Sequence, residues 1–274
     1  MIYCNLKGGM ANIMFQIAAC KKLAIRKNTS CCFPNFLAHL EYTNSRWQIQ
    51  YNTSNLGKNF KNNALEYKEF INIDHNAEHT GYPIKLYRYP FHYIDFIPNE
   101  DTFAVDGYFQ SEKYFSDIRE DILKTFCLTK EAEALMIKKY QNVLKNKSVS
   151  LHVRRADYLR YPGIHPVLPI SYYKKALDLI GEYDNCLLFS DDIEWCKNNM
   201  KFKNMVFVEQ EKDYIEMFLM SKCQNNIIAN SSFSWWGAWL NKKEDKQVIA
   251  PSQWFGTNIN EKTEDLIPDD WRII

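Results

Sequence analysis

The sequence predicts an α/β protein with a parallel, doubly wound sheet, and three observations carry that prediction. The stretch from Ser148 to Arg154 alternates: Val149, Leu151 and Val153 point one way, and Ser150, His152 and Arg154 the other, which is the period of a strand. From there to the carboxyl end, strands and helices take turns. Strands are expected at 148–153, 186–189, 205–208, 226–229 and 247–250, and helices at about 171–180, 192–200, 213–223 and 233–241. The chain also opens with a short apolar strand, Ile2 to Leu6, a Lys7-Gly8-Gly9 turn and a helical pattern from about Asn12 to Lys27. Strand, glycine turn and helix together begin a nucleotide-type βα unit.

A chain of 274 residues allows one large or two modest domains. The charged helical stretch from Lys130 to Asn146 offers the natural break, so the domains are expected at 1–145 and 146–274. In the first, Gly8 and Gly9 either make only the turn or let a ligand approach the backbone; neither GxGxxG nor GxxxxGK[ST] is present. Residues 40–100 carry little period and read as long loops with short elements, with turns at Tyr82-Pro83 and Tyr89-Pro90. Thr102 to Val105 reads as a strand. It leads to a helix ending near Phe126 that Ser111 or Asp117 could cap, and Gln110 and Glu112 fall at the junction. In the second half, Ser171 stands as an N-cap and Gly181 just past a helix end.

The composition excludes several classes. A net charge of +1 gives no broad electrostatic case for nucleic acid or membrane, so any anion site must be local. No Cys-x-x-Cys pair occurs among the eight cysteines, which read as reduced thiols rather than a disulfide framework or a zinc site. No secretory leader or membrane span is read. The protein is expected to be cytoplasmic, or peripheral on the inner face of a membrane, and the sequons at Asn28, Asn52 and Asn230 read as chance matches.

Three strand ends carry polar clusters. The first is His152, Arg154, Arg155 and Asp157. In an open α/β sheet ligands sit outside the carboxyl ends of the strands, and a guanidinium fork there suits a phosphate. The second is Ser190-Asp191-Asp192, where a carboxylate can cap a helix, accept from a guanine edge or a ribose hydroxyl, or bind Mg²⁺; the metal ranks lowest, because two arginines can neutralise a diphosphate. The third is Ser231, Ser232 and Ser234 at the start of a helix, where hydroxyls and free amides make an anion seat or cap the helix. Trp235, Trp236 and Trp239 share a helical stripe and read as core.

These residues carry a family resemblance. His152-Val-Arg-Arg-Ala-Asp-Tyr158 resembles the HxRRxD motif of the α-1,2- and α-1,6-fucosyltransferases. The stretches at 168–175, 189–195, 226–239 and 248–251 resemble bacterial α-1,2-fucosyltransferases of glycosyltransferase family 11, as does Gly107-Tyr-Phe-Gln-Ser-Glu-Lys-Tyr-Phe115. Gly8-Gly-Met-Ala-Asn-Ile-Met-Phe-Gln16 is similar to the family's GGLGNQxFQ opening, with Ala11, Ile13 and Ile17 as departures, read as acceptor-side differences.

The resemblance implies a GT-B architecture: two facing Rossmann-like domains with the active site in the cleft between them. It implies inverting transfer of L-fucose from GDP-β-L-fucose to the 2-hydroxyl of a terminal β-galactoside. The alternatives are an α-1,6 linkage or a non-catalytic nucleotide-sugar or glycan-binding module. Arg154 and Arg155 would stabilise charge on the leaving diphosphate, helped by Ser231, Ser232, Ser234 and the Gly8-Gly9 loop. His152 with Asp191 or Asp192 would read guanine or ribose. Asp157 is the first candidate for the base and Glu112 the second. Asn12, Gln16, Gln110 and Glu112 are expected on the acceptor side. No metal and no cofactor are expected, GDP-fucose being a co-substrate and a galactose-terminated glycan the acceptor.

Overall fold

A computed structural model describes residues 1–53, 63–74 and 85–274, with the side chains of 47–53 outside that description. The expected turn at Tyr82-Pro83 lies outside the described residues. The chain divides into two compact units. One is Met1–Thr129 with Lys262–Pro268; the other is Lys130–Glu261 with Asp269–Ile274. The first unit therefore ends at Thr129 rather than at 145, and the charged helix goes wholly with the second. Near the carboxyl end the chain re-enters the first unit, where the Asp265 carboxylate accepts from Tyr93 N at 2.6 Å and the Asp265 carbonyl from Ser111 Oγ at 2.6 Å.

The first unit holds β1 (Ile2–Cys4), α1 (Met10–Arg26), β2 (Cys31–Cys32), α2 (Phe36–Thr53), β3 (Leu86–Arg88), β4 (Phe103–Asp106) and α3 (Arg119–Thr125). Its sheet is parallel, in the order β2-β1-β4-β3. α2 corrects the expectation of loops beyond residue 40: its polar, Asn- and Gln-rich sequence carries little apolar period, so the helix was not legible. Ser111 caps only a short 3₁₀ turn, Glu112–Tyr114, accepting from Lys113 N at 3.3 Å. α3 begins beyond both expected caps, with Ile118 at its N-cap.

The second unit holds α4 (Lys130–Leu144), β5 (Ser148–Val153), α5 (Ile170–Ile180), β6 (Asn185–Ser190), α6 (Ile193–Asn199) and β7 (Met205–Phe207). It continues with α7 (Asp213–Met220), β8 (Asn225–Ile227), α8 (Ser232–Trp239), β9 (Val248–Ala250) and β10 (Arg272–Ile273). The sheet is again parallel, in the order β10-β9-β8-β5-β6-β7. The chain builds outward from β5 to β7, then crosses back to place β8 on the other flank of β5. That reversal is a topological switch point, and it opens a crevice at the carboxyl ends of β5 and β8.

β5 is buried at all six positions, so both of its faces are covered, as a central parallel strand requires. Its alternation sorts chemistry rather than exposure. Val149, Leu151 and Val153 enter an apolar core with Leu177, Leu188 and Ile227. On the other face Ser150 accepts from the Asn226 amide at 2.7 Å. Trp235, Trp236 and Trp239 are buried as expected. α5 starts at Ile170 with Pro169 at its N-cap, so Ser171 lies inside the helix and does not cap it. Gly181 closes α5 with φ +80°, the left-handed geometry that glycine supplies without strain. The eight cysteines are free thiols, six of them buried. Among the described residues no helix is long and apolar enough to cross a membrane.

Candidate active site

β5 ends at Val153, and the next four residues leave the sheet at the switch point. Arg154 there meets two carboxylates. Its Nε and one terminal nitrogen each donate to Asp157 at 2.9 Å, a bidentate pair, and Nε lies 3.2 Å from Asp191 Oδ2. Asp191, at the end of β6, also accepts from the backbone N–H groups of Arg155 at 2.9 Å and Ala156 at 3.2 Å. Burial pushes the Asp191 carboxyl above the usual carboxylate range, and the Arg154 charge and the two amides oppose that push. Arg155 takes a different partner set: it donates from Nε to Asp192 at 3.0 Å and lies over Trp195, 4.0 Å from the ring centroid. Asp192 in turn caps α6, accepting from Trp195 N at 3.4 Å.

The two arginines are thus held by a lattice of aspartates rather than standing free. Asp191 fixes the backbone from which both side chains spring. Asp192, not Asp191, is the helix cap. The Arg154 side chain stays 32% exposed although Asp157 and Asp191 pin its Nε edge.

The serine cluster divides by depth. Ala229 N donates to Ser234 Oγ at 3.2 Å, and that hydroxyl lies 3.4 Å from the Ser231 carbonyl as donor. Ser234 is 1% exposed and closes the β8–α8 turn from inside. Ser231 is the N-cap of α8 but makes no side-chain cap bond, and Ser232 is half-buried in the first turn. The amides of that first turn and these two residues form the N-terminal end of the helix.

His152 is 3% exposed, with its ring 5.3 Å from that of Phe233 and its Nδ1 buried without a partner. Burial, reinforced by the Arg154 charge, lowers its pKa to about 3, so the ring is neutral. It stands two residues before Arg154, with Nδ1 left unpaired in the fold. Sequence reasoning passed over Glu216, a half-buried carboxylate in the first turn of α7. Burial pushes its carboxyl well above the ordinary range, followed by repulsion from Asp213, Glu211 and Asp191. A lone Glu in an amphipathic helix carries no motif, and only the sheet topology brings it toward Asp191.

The glycine loop of the first unit is settled by its own contacts. Gly8 has φ +83°, and a Cβ there would stand 2.6 Å from Asn12 Nδ2, so the turn requires glycine. Gly9 is the N-cap of α1 and a Cβ there would meet nothing within 4 Å. Gln16, expected on the acceptor side, is fully buried. It accepts from Lys7 N at 3.0 Å and donates to Lys7 O at 2.8 Å and Asn12 O at 3.1 Å, so it staples the loop and has no face toward a ligand. Asn12 accepts from Gln110 at 2.7 Å, tying the start of α1 to the segment after β4. Glu112 is half-buried in the 3₁₀ turn. Ala11, Ile13 and Ile17 are all buried in the unit's core, so these departures are packing differences rather than changes at a ligand face.

Residues 84–274 match the model of glycosyl transferase family 11. The chain belongs to glycosyltransferase family 11. The transferase is 31% identical to the O-antigen biosynthesis glycosyltransferase WbnK of Escherichia coli, over 98% of this chain and 99% of that one. It is likewise 31% identical to an alpha-1,2-colitosyltransferase of Escherichia coli, over 93% and 92% of the two chains. Among solved structures it resembles the fucosyltransferase NodZ from Bradyrhizobium, with a TM-score of 0.53 at 12% identity, covering 86% of this chain and 91% of NodZ. That likeness is one of fold, the GT-B class of two Rossmann-like units that the resemblance implied.

Proposed function

We propose that this transferase moves L-fucose from GDP-β-L-fucose to the 2-hydroxyl of a terminal β-galactoside, giving an α-1,2 link with inversion, in the synthesis of a surface polysaccharide. The observation that carries the donor half is the Arg154 fork, pinned by Asp157 and Asp191 at the switch point between β5 and β8, the strand that leads into α8. As the glycosyl bond breaks, its electron pair goes to a β-phosphate oxygen. A preorganised guanidinium and helix amides then meet charge that grows in the transition state. Arg155, held by Asp192 and Trp195, keeps the local potential positive. The names of the relatives, an O-antigen glycosyltransferase and an α-1,2-transferase, support the polysaccharide and the linkage.

Asp191 and Asp192 are engaged with the arginines, so in this reading they aim the site rather than read the base. The Glu216 side chain makes no hydrogen bond among the described residues; ionised against a guanine, its two oxygens would accept from N1–H and N2–H. Asp157 holds Arg154 with both oxygens. With both oxygens so engaged, it can take the acceptor's proton only once a phosphate oxygen has replaced it on the fork. Glu112 is the second carboxylate for that step. The reaction is proposed to need no divalent metal, since two guanidinium groups carry the countercharge. The protein is proposed to work in the cytoplasm or at the inner face of a membrane.

A second donor is favoured by one observation: a relative of equal identity is named a colitosyltransferase, so another 6-deoxy sugar on the same nucleotide is the rival. Product-linkage analysis with GDP-fucose and a panel of galactosides separates the readings. An α-1,2-fucosylated galactoside is expected; transfer only to a 6-hydroxyl would refute the proposed linkage, and GDP-fucose binding without transfer would refute fucose as the donor sugar and favour the rival.

A further inference from the structure

His165 stands outside the motifs of the resemblance and outside the arginine–aspartate lattice. It lies in the crossover from β5 to α5, in a loop that is built rather than loose. Gly256 N donates to Ile164 O and Asn258 N to Gly163 O, each at 2.8 Å. A Cβ on Gly256 would stand 2.5 Å from the carbonyl carbon and oxygen of Gly163, so the two segments meet backbone to backbone. The Asn230 amide, at the end of β8, donates to Pro166 O and Trp254 O at 3.0 Å each. Between these ties the imidazole stacks on Tyr158, with ring centroids 4.8 Å apart and planes 18° from parallel, and tilts against Phe255 at 5.7 Å. The same Tyr158 ring lies 5.6 Å from the Arg154 guanidinium.

The hydrogen bonding of the ring decides its chemistry. Nδ1 is buried with no partner, and no hydrogen bond engages Nε2 among the described residues. A neutral imidazole carries one proton, on one nitrogen or the other. A buried N–H without an acceptor is the rarer orphan in proteins; a bare lone pair is tolerated more often. The proton therefore sits on Nε2, which makes His165 a hydrogen-bond donor rather than a proton acceptor. Burial, ahead of attraction to Asp157, lowers its pKa and keeps it neutral. A phosphate held by Arg154 carries its sugar one bond away. A neutral donor set in an aromatic wall suits the mixed apolar and hydroxyl surface of a deoxyhexose better than it suits a diphosphate.

We propose that His165 reads the transferred sugar: its Nε2–H donates to a hydroxyl oxygen of the nucleotide-borne hexose, and the rings of Tyr158 and Phe255 fix its direction. This rests on the GDP-sugar reading of the crevice. The test is a pair of variants, His165→Phe, which keeps the stack and loses the donor, and His165→Gln, which keeps a donor. They are compared by calorimetry with GDP and GDP-fucose and by kinetics with GDP-fucose and its monodeoxy sugar analogues. GDP affinity is expected to stay within about twofold in both variants. For His165→Phe, kcat/KM with GDP-fucose is expected to fall roughly ten- to a hundredfold, with partial recovery in His165→Gln. Removal of the contacted hydroxyl should cost the wild type a similar factor and His165→Phe nothing further. An equal loss of GDP and GDP-fucose affinity would place the contact on the diphosphate, and additive penalties for every deoxy analogue would make His165 structural; either overturns the inference. Failure of the wild type to bind GDP would instead refute the donor reading on which it rests.

Discussion

The two βα junctions of this enzyme use polar residues in opposite ways. In the first unit, Gln16, Asn12 and Gln110 spend their hydrogen bonds on the protein: on the backbone of the Lys7–Gly9 loop and on each other. In the second unit, Arg154 and Arg155 are also held, yet their partners are carboxylates that an incoming phosphate can replace or share. A buried amide stapled to backbone is architecture. A half-exposed guanidinium held by aspartates is a poised anion receptor, because its orientation is already fixed when the ligand arrives.

The largest expected effect breaks the second junction. Arg154→Lys keeps a positive charge but loses the fork that both Asp157 and a phosphate require, and kcat is expected to fall roughly 10²-fold or more. GDP-fucose binding, read by calorimetry, should weaken less than turnover falls. Arg155→Lys, whose guanidinium rests on Trp195, should be milder; the reverse ranking would assign the leaving group to Arg155. In the first junction, Gln16→Leu strands the Lys7 amide and carbonyl in the interior and should cost about 2–3 kcal/mol of stability in a denaturant titration. Its GDP affinity should stay unchanged. A stable Gln16→Leu protein with lost acceptor binding would return Gln16 to the acceptor face.

His152 sharpens the comparison through pH. Its folded pKa of about 3 lies below the ordinary value near 6.5 of an unfolded chain, so the folded state binds fewer protons between those limits. Its contribution to stability is full above pH 6.5 and is lost as pH falls toward 3. Between pH 7 and 5 the wild type should lose about 2 kcal/mol more than His152→Asn does. Parallel stability–pH curves for the two proteins would show that His152 is protonated freely in the fold. The smallest expected effect is that of chelation: exhaustive removal of divalent ions should leave turnover unchanged. Loss of activity restored by Mg²⁺ or Mn²⁺ would make Asp191 and Asp192 metal ligands.

The second unit was largely legible because its strands are buried, regularly spaced and separated by amphipathic helices; β5, β6 and β9 fall within a residue or two of their expected spans. The arginine cluster was legible for the same reason, since a strand's period shows where its carboxyl end must be. What the sequence withheld was pairing. Nothing in Asp191-Asp192 reveals that one holds the Arg155 and Ala156 amides while the other holds the Arg155 side chain, because those partners lie more than thirty residues away. Gln16 looked like a ligand residue because amide-to-backbone bonds leave no pattern in sequence. β3, at three residues, and β10, at two, are too short for any period to mark them, and Glu216 becomes visible only when the fold brings its carboxyl within electrostatic reach of Asp191.

The central claim is that the crevice of the second unit receives a guanine nucleotide. Competition calorimetry with GDP, ADP and UDP on the wild-type enzyme and on Glu216→Gln tests it most directly. The wild type should prefer GDP by at least about tenfold, and Glu216→Gln should lose most of that preference while keeping the diphosphate contribution shared by all three. Equal binding of GDP, ADP and UDP by the wild type would contradict the claim.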